Sequence, residues 1–199
     1  MDDIRGVAAA RLSAFESRTV PLEGHRSAAV ALAISTVAGE PGIWLTLRPA
    51  QMREHAAQFA LPGGRVEAGE THEQAALREL AEELGVAVSA DQVLGRLDDY
   101  VTRSGYVITP VVCWAGADRL LNPNPGEVAE VFHLSYDVLD IEPVLMTIPE
   151  SDRPVIQLPM LGRRVHAPTA AVIYQFIEVV LRDRPTRVGH FEQPVFAWK

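Results

Sequence analysis

The stretch GRVEAGETHEQAALRELAEELGV, Gly64 to Val86, decides the fold of the chain around it. Thr71 is followed three positions later by Gln74, the spacing of a capping box, and Gly85 supplies the left-handed residue that ends a helix. The pattern predicts a helix from about His72 to Leu84. On that helix Glu79, Glu82 and Glu83 stand at i, i+3 and i+4, so their carboxylates leave one face close together. Like charges so placed repel, by roughly 0.2–0.5 kcal/mol per exposed i, i+4 pair, unless a cation sits among them. Oxygen donors of this kind suit Mg²⁺ or Mn²⁺, which keep several waters and share their remaining positions with phosphates. A solvated acidic face is the alternative for any glutamate-rich helix.

The surroundings of the three glutamates decide between these readings. Glu70 precedes Arg78 by eight residues, so a pairing of the two would tie the preceding loop to the helix. Pro62, Gly63 and Gly64 are expected to form a loop whose glycines permit positive φ and close backbone approach. With these neighbours the stretch matches G-x5-E-x7-R-E-U-x-E-E-x-G-U, U being aliphatic, at every defined position, and it resembles a complete Nudix box. That resemblance implies an α/β (α+β) Nudix fold, a mixed β-sheet sandwiched between helices, and hydrolysis of a nucleoside diphosphate linked to another moiety. It implies Glu79, Glu82 and Glu83 as ligands of Mg²⁺ or Mn²⁺, with a backbone carbonyl from Gly63. Glu82 is alternatively the group that orients or deprotonates the attacking water. Gly64, Glu70, Arg78 and Gly85 are implied as structural supports.

Upstream, LTLRPAQMREHAAQFALPGG (Leu45 to Gly64) resembles the signature of the coenzyme A pyrophosphatase branch at Leu45, Thr46, Arg48, Arg53, Pro62, Gly63 and Gly64. Pro49, Ala57 and Leu61 depart from it, standing where the branch has Ser or Ala, Gly, and Phe; Trp44 replaces its first Leu. Arg48 and Arg53 are expected to contact substrate phosphates, because guanidinium groups bind them bidentately. Surface pairing with nearby acids is the alternative for both. Ala57 would tighten the loop if its position needs positive φ. Two further stretches, LDDYVTRSGYVITPVV (Leu97 to Val112) and NPNPGEVAEVF (Asn122 to Phe132), resemble segments of the same branch. Glu127 or Glu130 could add a carboxylate to the site as base or ligand, with Glu127 preferred; a solvated acid beside a strand is the alternative.

The chain has 199 residues, 48% hydrophobic and 22% charged, which fits one ordinary globular domain. An N-terminal helix is expected over about 3–17, a core over about 25–183 and an irregular tail over 184–199. Strands are expected at Ala28–Val37, Ile43–Leu47, Val93–Val101, Tyr106–Trp114, Val128–Leu134 and Val155–Leu158, with a hairpin turn at Ser104 and Gly105. Thr169 to Leu181 has helical apolar spacing. A net charge of −8 without a basic run excludes the footprint of a duplex nucleic-acid binder, so a polyanionic substrate would need metal ions as intermediaries. Cys113 is the only cysteine, which excludes an intrachain disulfide and fits a reducing compartment; a cytoplasmic location is expected. The first residues lack the basic-then-apolar layout expected of a secretory signal, and no uncharged apolar run of about 18 residues is found in the sequence.

Three residues carry weaker expectations: His55 as a solvated loop histidine, Cys113 as a small buried hydrophobe, and Tyr106 as a core aromatic with base stacking the alternative. The leading functional expectation is cleavage of coenzyme A or its thioesters to 3′,5′-ADP and a 4′-phosphopantetheine product. Cleavage of ADP-ribose or a nucleotide sugar is the alternative, and a nucleotide-binding regulator that does not cut is a third reading. The partner expected is a small-molecule nucleotide, not nucleic acid or membrane, and the resemblance allows a homodimer.

Overall fold

The computed structural model describes residues 4–51 and 57–198. In chain order its elements begin with α1 (Ile4–Ala14), β1 (Arg26–Val37), β2 (Glu40–Leu47), β3 (Phe59–Ala60), β4 (Gly63–Arg65) and α2 (His72–Leu84). There follow β5 (Val93–Arg96), β6 (Tyr100–Val101), β7 (Tyr106–Ala117), β8 (Glu130–Ser135), α3 (Tyr136–Leu139), β9 (Val144–Ile148), β10 (Ser151–Met160), β11 (Arg163–His166) and α4 (Thr169–Phe176).

β1 organises the main sheet. It pairs antiparallel with β2 (Ile34 opposite Ile43) and with β4 (Ala29 opposite Gly64), and parallel with β7 (Leu32 opposite Val112). β2 carries β3 and β8, while β7 carries β5 and β6, so the sheet is mixed. Because side chains alternate along a strand, Ala29, Ala31 and Ala33 of β1 face one way and Leu32 and Ile34 the other. The alanine face packs with Val111, Cys113 and Ala115 of β7 against Ala75, Ala76, Leu80 and Leu84 of α2. These small sheet residues let the glutamate helix lie close to the strands. Burying Leu80 and Leu84 stabilises that contact by about 1.5–3 kcal/mol each. The leucine and isoleucine face packs against Ala8 and Leu12 of α1 and Ile173 and Phe176 of α4. Helices thus cover both faces, which is the mixed sheet between helices expected from the sequence.

Several expectations need correction. The expected loop ends at Pro62: Gly63 and Gly64 lie in β4, neither with positive φ, because their backbone completes pairing with β1. The N-terminal helix stops at Ala14, earlier than expected. β8 starts at Glu130, since the Val128 N–H is taken by the Asn124 carbonyl at 2.9 Å in the preceding turn. A second sheet, β9–β10–β11, was legible only at Val155–Leu158. The last helix turns from α to π geometry over Ile177–Leu181, with the Arg182 N–H bonded to the Ile177 carbonyl at 2.9 Å. The tail is irregular apart from a 3₁₀ turn at Val195–Trp198, yet Val188, Phe191, Glu192, Gln193 and Ala197 are buried in it. Among the described residues no helix is long and apolar enough to cross a membrane.

Candidate active site

Helix α2 begins and ends as its sequence predicts. The Thr71 hydroxyl accepts from the Gln74 N–H, the Gln74 side chain accepts from the Thr71 N–H, and Gly85 closes the helix at φ 71°. The asparagine-rich loop then docks on the helix end, where Asn122 and Asn124 donate their N–H groups to the Leu84 and Glu83 carbonyls, each at 2.9 Å. Those are carbonyls that a helix end leaves without partners. The docking carries Glu127 towards the acidic face, where its charge is felt by Glu79 and Glu83.

Arg78 ties the site together. Its guanidinium donates to both Glu70 oxygens at 2.8 and 3.2 Å and to the Arg65 carbonyl at 3.0 Å, linking β4 and the following loop to the helix. Glu70 also accepts from the Glu67 N–H at 2.9 Å. The Arg78 guanidinium, followed by that backbone donor, holds the Glu70 carboxyl below its ordinary range. The remaining Arg78 nitrogen bridges Glu79 and Glu82 at 2.9 and 3.0 Å.

The three glutamates differ in burial. Glu82 is exposed, Glu79 is half-buried, and Glu83 is 3% exposed. Burial pushes the Glu83 carboxyl up to about 7; the Gly63 N–H, donating at 3.4 Å, and Arg48 oppose the rise, while Glu79 and Glu127 add to it. Glu79 is raised for the same leading reason, against Arg78. Gly64 makes the space that Glu79 fills: a Cβ there would stand 2.1 Å from Glu79 Oε1.

The donor set suits a hard divalent cation: carboxylate oxygens on one helix face, one of them buried with, among the described residues, a single long backbone contact as its hydrogen-bond partner. Among the described residues, no three acidic, histidine or cysteine side chains converge as they stand. Glu79 and Glu82 are turned to Arg78, itself a cation. Releasing them leaves Arg78 still held by Glu70 and Arg65.

A cavity of about 580 Å³ opens beside Gly63 and Gly64. Val30, Phe59, Leu61, Ile108 and Val172 give it apolar walls, and Arg48, Thr102, Ser104 and Gln193 add polar groups. Arg48 follows β2, and its buried Nε has no hydrogen-bond partner among the described residues. Arg53 and His55 lie outside the described residues. Ala57 has φ 55°, the left-handed region its place in the upstream motif suggested. Glu130 is exposed at the start of β8. Tyr106 is not a core aromatic. It lines the cavity half-exposed, with the Arg26 guanidinium 4.1 Å from its ring centroid and its hydroxyl accepting from Arg65 at 2.9 Å. Cys113 is fully buried, and burial pushes its thiol up to about 12.

The sequence reading missed the far wall, where the tail contributes Gln193 and Ala197. Arg103, at the β6–β7 turn, holds it by donating to the buried Glu192 at 3.2 and 2.5 Å while lying 4.9 Å from the Trp198 ring. No spacing announces such a clamp, because its partners are 89 residues apart. The Arg103 guanidinium holds the Glu192 carboxyl at about 2, below its ordinary 4.5. A depressed carboxylate stabilises the fold above its unfolded pKa, and that contribution fades as pH falls through the folded one. Glu192→Gln is therefore expected to remove about 2 kcal/mol at pH 7, after allowance for the half-exposed arginine, and nothing near pH 2. Urea denaturation across that range checks it; an equal loss at both ends would assign the effect to packing.

Comparisons with known proteins identify the family and the fold. The NUDIX domain model matches residues 24–158. The chain is 34% identical over 176 residues to the "Uncharacterized Nudix hydrolase NudL" of Pectobacterium atrosepticum, covering 83% of this chain and 88% of that one. To "Nudix hydrolase 3" of Caenorhabditis elegans it is 32% identical over 121 residues, which span 59% of this chain and 50% of the worm protein. The fold superposes on the M. smegmatis Nudix hydrolase RenU with a TM-score of 0.52 at 22% identity, over 82% and 90% of the two chains. The chain belongs to the NUDIX family. It is a Nudix hydrolase, an enzyme of a family that acts on nucleoside diphosphate-linked small molecules and generally uses divalent cations.

Proposed function

We propose that this hydrolase cleaves coenzyme A or its thioesters, releasing 3′,5′-ADP and a 4′-phosphopantetheine product. The carrying observation is Arg48. It belongs to the partial coenzyme A signature, lines the cavity, and lies near enough to Glu83 to lower its proton affinity. Arg48 therefore connects the signature segment and the cavity to the buried carboxylate of the helix.

In this reading Glu79, Glu82 and Glu83, with the Gly63 carbonyl, hold Mg²⁺ or Mn²⁺. The bound ion would neutralise the diphosphate and make water a stronger nucleophile at neutral pH. Glu82 or Glu127 orients the attacking water and accepts its proton. Arg48 and Arg53 bind phosphate oxygens, and Arg78 with Glu70 keeps β4 against the helix. The cavity, with apolar walls and amide and hydroxyl groups, takes the organic part of the substrate and excludes water from it.

ADP-ribose or a nucleotide sugar is the second reading. Two observations favour it: Ala57 holds a left-handed φ where the branch has glycine, and Leu61 fills the cavity wall where the branch has Phe. Purified protein with Mg²⁺ or Mn²⁺, offered coenzyme A, ADP-ribose, NADH, diadenosine polyphosphates and dNTPs, separates the two. Coenzyme A is expected to give the highest kcat/KM. Poor turnover of it beside good turnover of another substrate would overturn the reading.

A further inference from the structure

A second recess, of about 250 Å³, adjoins the main cavity and shares Gln58, Phe59, Pro168 and Thr169 with it. Its own lining includes Arg163, Arg164 and His166 from β11 and, among the described residues, no Asp or Glu. In a chain of net charge −8 this concentration of basic groups stands out. Neither arginine is paired with a carboxylate among the described residues. Arg164 donates to the neutral Gln157 amide at 3.2 Å, and the Arg163 guanidinium stands 6.0 Å from the Phe59 ring centroid. His166 Nδ1 is buried without a hydrogen-bond partner among the described residues, and the ring meets Phe196 edge-on at 5.1 Å. Two guanidinium groups and an imidazole line the recess, with no acid among the described residues to neutralise them, and such a lining suits an oxyanion carrying two charges.

The geometry points to a phosphomonoester subsite in the recess formed by Arg163, Arg164 and His166, which takes a phosphate that the substrate carries apart from its diphosphate. The shared wall supports one molecule occupying both spaces. Arg163 beside Phe59 stands at their junction, where an aromatic face and a cation can meet the sugar-phosphate end of a nucleotide. This inference deepens the proposed function, and rests on it for the statement that the phosphate belongs to the substrate. It supplies a basis for discriminating a nucleotide with a ribose phosphomonoester from ADP-ribose, which has none.

Binding of 3′,5′-ADP and of 5′-AMP, measured by calorimetry without turnover, tests the subsite separately from the reaction. The protein is expected to bind 3′,5′-ADP at least about tenfold more tightly, a difference of about 1.4 kcal/mol. In the R163A/R164A double variant, folded by its melting curve, that ratio should fall to near one. His166→Gln, which keeps a neutral hydrogen-bonding group, should reduce the ratio less. Equal affinity for the two nucleotides in the unaltered protein, or an unchanged ratio in the double variant, would overturn the subsite. Inorganic phosphate serves as a third titrant: binding as tight as that of 3′,5′-ADP would assign the recess to a free anion and overturn the substrate-borne phosphate. Preference for 3′,5′-ADP together with failure to hydrolyse coenzyme A would uphold the subsite and overturn the proposed substrate.

Discussion

Glu83→Gln is expected to lower kcat/KM for the preferred diphosphate substrate by on the order of a thousandfold, or about 4 kcal/mol, while the folded chain persists. Glutamine keeps the volume and can still accept the Gly63 N–H, which contacts Glu83 Oε1 at 3.4 Å. It removes the charge that a divalent ion would need. The same substitution should move stability the other way. With the wild-type carboxyl raised to about 7 by burial, its ionised form is disfavoured in the folded state. A raised carboxyl stabilises the fold below its unfolded pKa, and that contribution is lost as pH climbs through the folded one. Metal-free wild type should thus weaken between about pH 4.5 and 7, by up to about 3 kcal/mol, and the glutamine variant should not. Denaturation with and without Mn²⁺ reads both effects, since a bound cation should restore wild type alone. Unchanged turnover in the variant would refute the assignment of Glu83 as a metal ligand.

That the glutamates could be found at all in the sequence follows from their being local. A helix fixes i, i+3 and i+4 on one face, and Thr71, Gln74 and Gly85 marked the ends of that helix. The tie from Arg78 to Glu70 spans eight residues and was equally legible. What stayed hidden depends on distant pairing. Pro62-Gly63-Gly64 read as a turn because its partner strand lies more than 30 residues earlier, and only that pairing makes it β4. Tyr106 read as core because strand aromatics generally are, whereas the site brings Arg26 and Arg65 to its ring. The cavity wall at Gln193 and Ala197 lies in a tail with no periodicity. Its place is set by Arg153, which donates to the carbonyls of Gly189, His190 and Phe191, and by Arg103. The apolar, partly β-branched run in β1 predicted a strand, but not that its alanine face would seat the glutamate helix.

The two glycines of β4 should fail in different ways. In Gly64→Ala the new Cβ would meet Glu79 Oε1 at 2.1 Å and Glu79 Cδ at 2.5 Å, atoms at the end of a side chain that can swing aside. Stability should change by less than about 1 kcal/mol, the value of the partly exposed ion pair with Arg78 that would be disturbed. Activity should fall by about a hundredfold, because a displaced carboxylate no longer meets a cation shared with Glu82 and Glu83. In Gly63→Ala the Cβ would stand 2.5 Å from the Ala29 carbonyl oxygen and 2.8 Å from the Val30 Cα, which are backbone atoms of β1. Relief there requires β4 to move away from the central strand, so about 3 kcal/mol of stability should be lost along with activity. Melting temperature, kcat/KM and Mn²⁺ affinity for the two variants separate these outcomes. If Gly64→Ala lost stability like Gly63→Ala, the glycine would be serving strand packing; normal Mn²⁺ affinity in Gly64→Ala would remove Glu79 from the metal site. The pair therefore tests whether β4 supports the reaction through its backbone at residue 63 and through the room it leaves at residue 64.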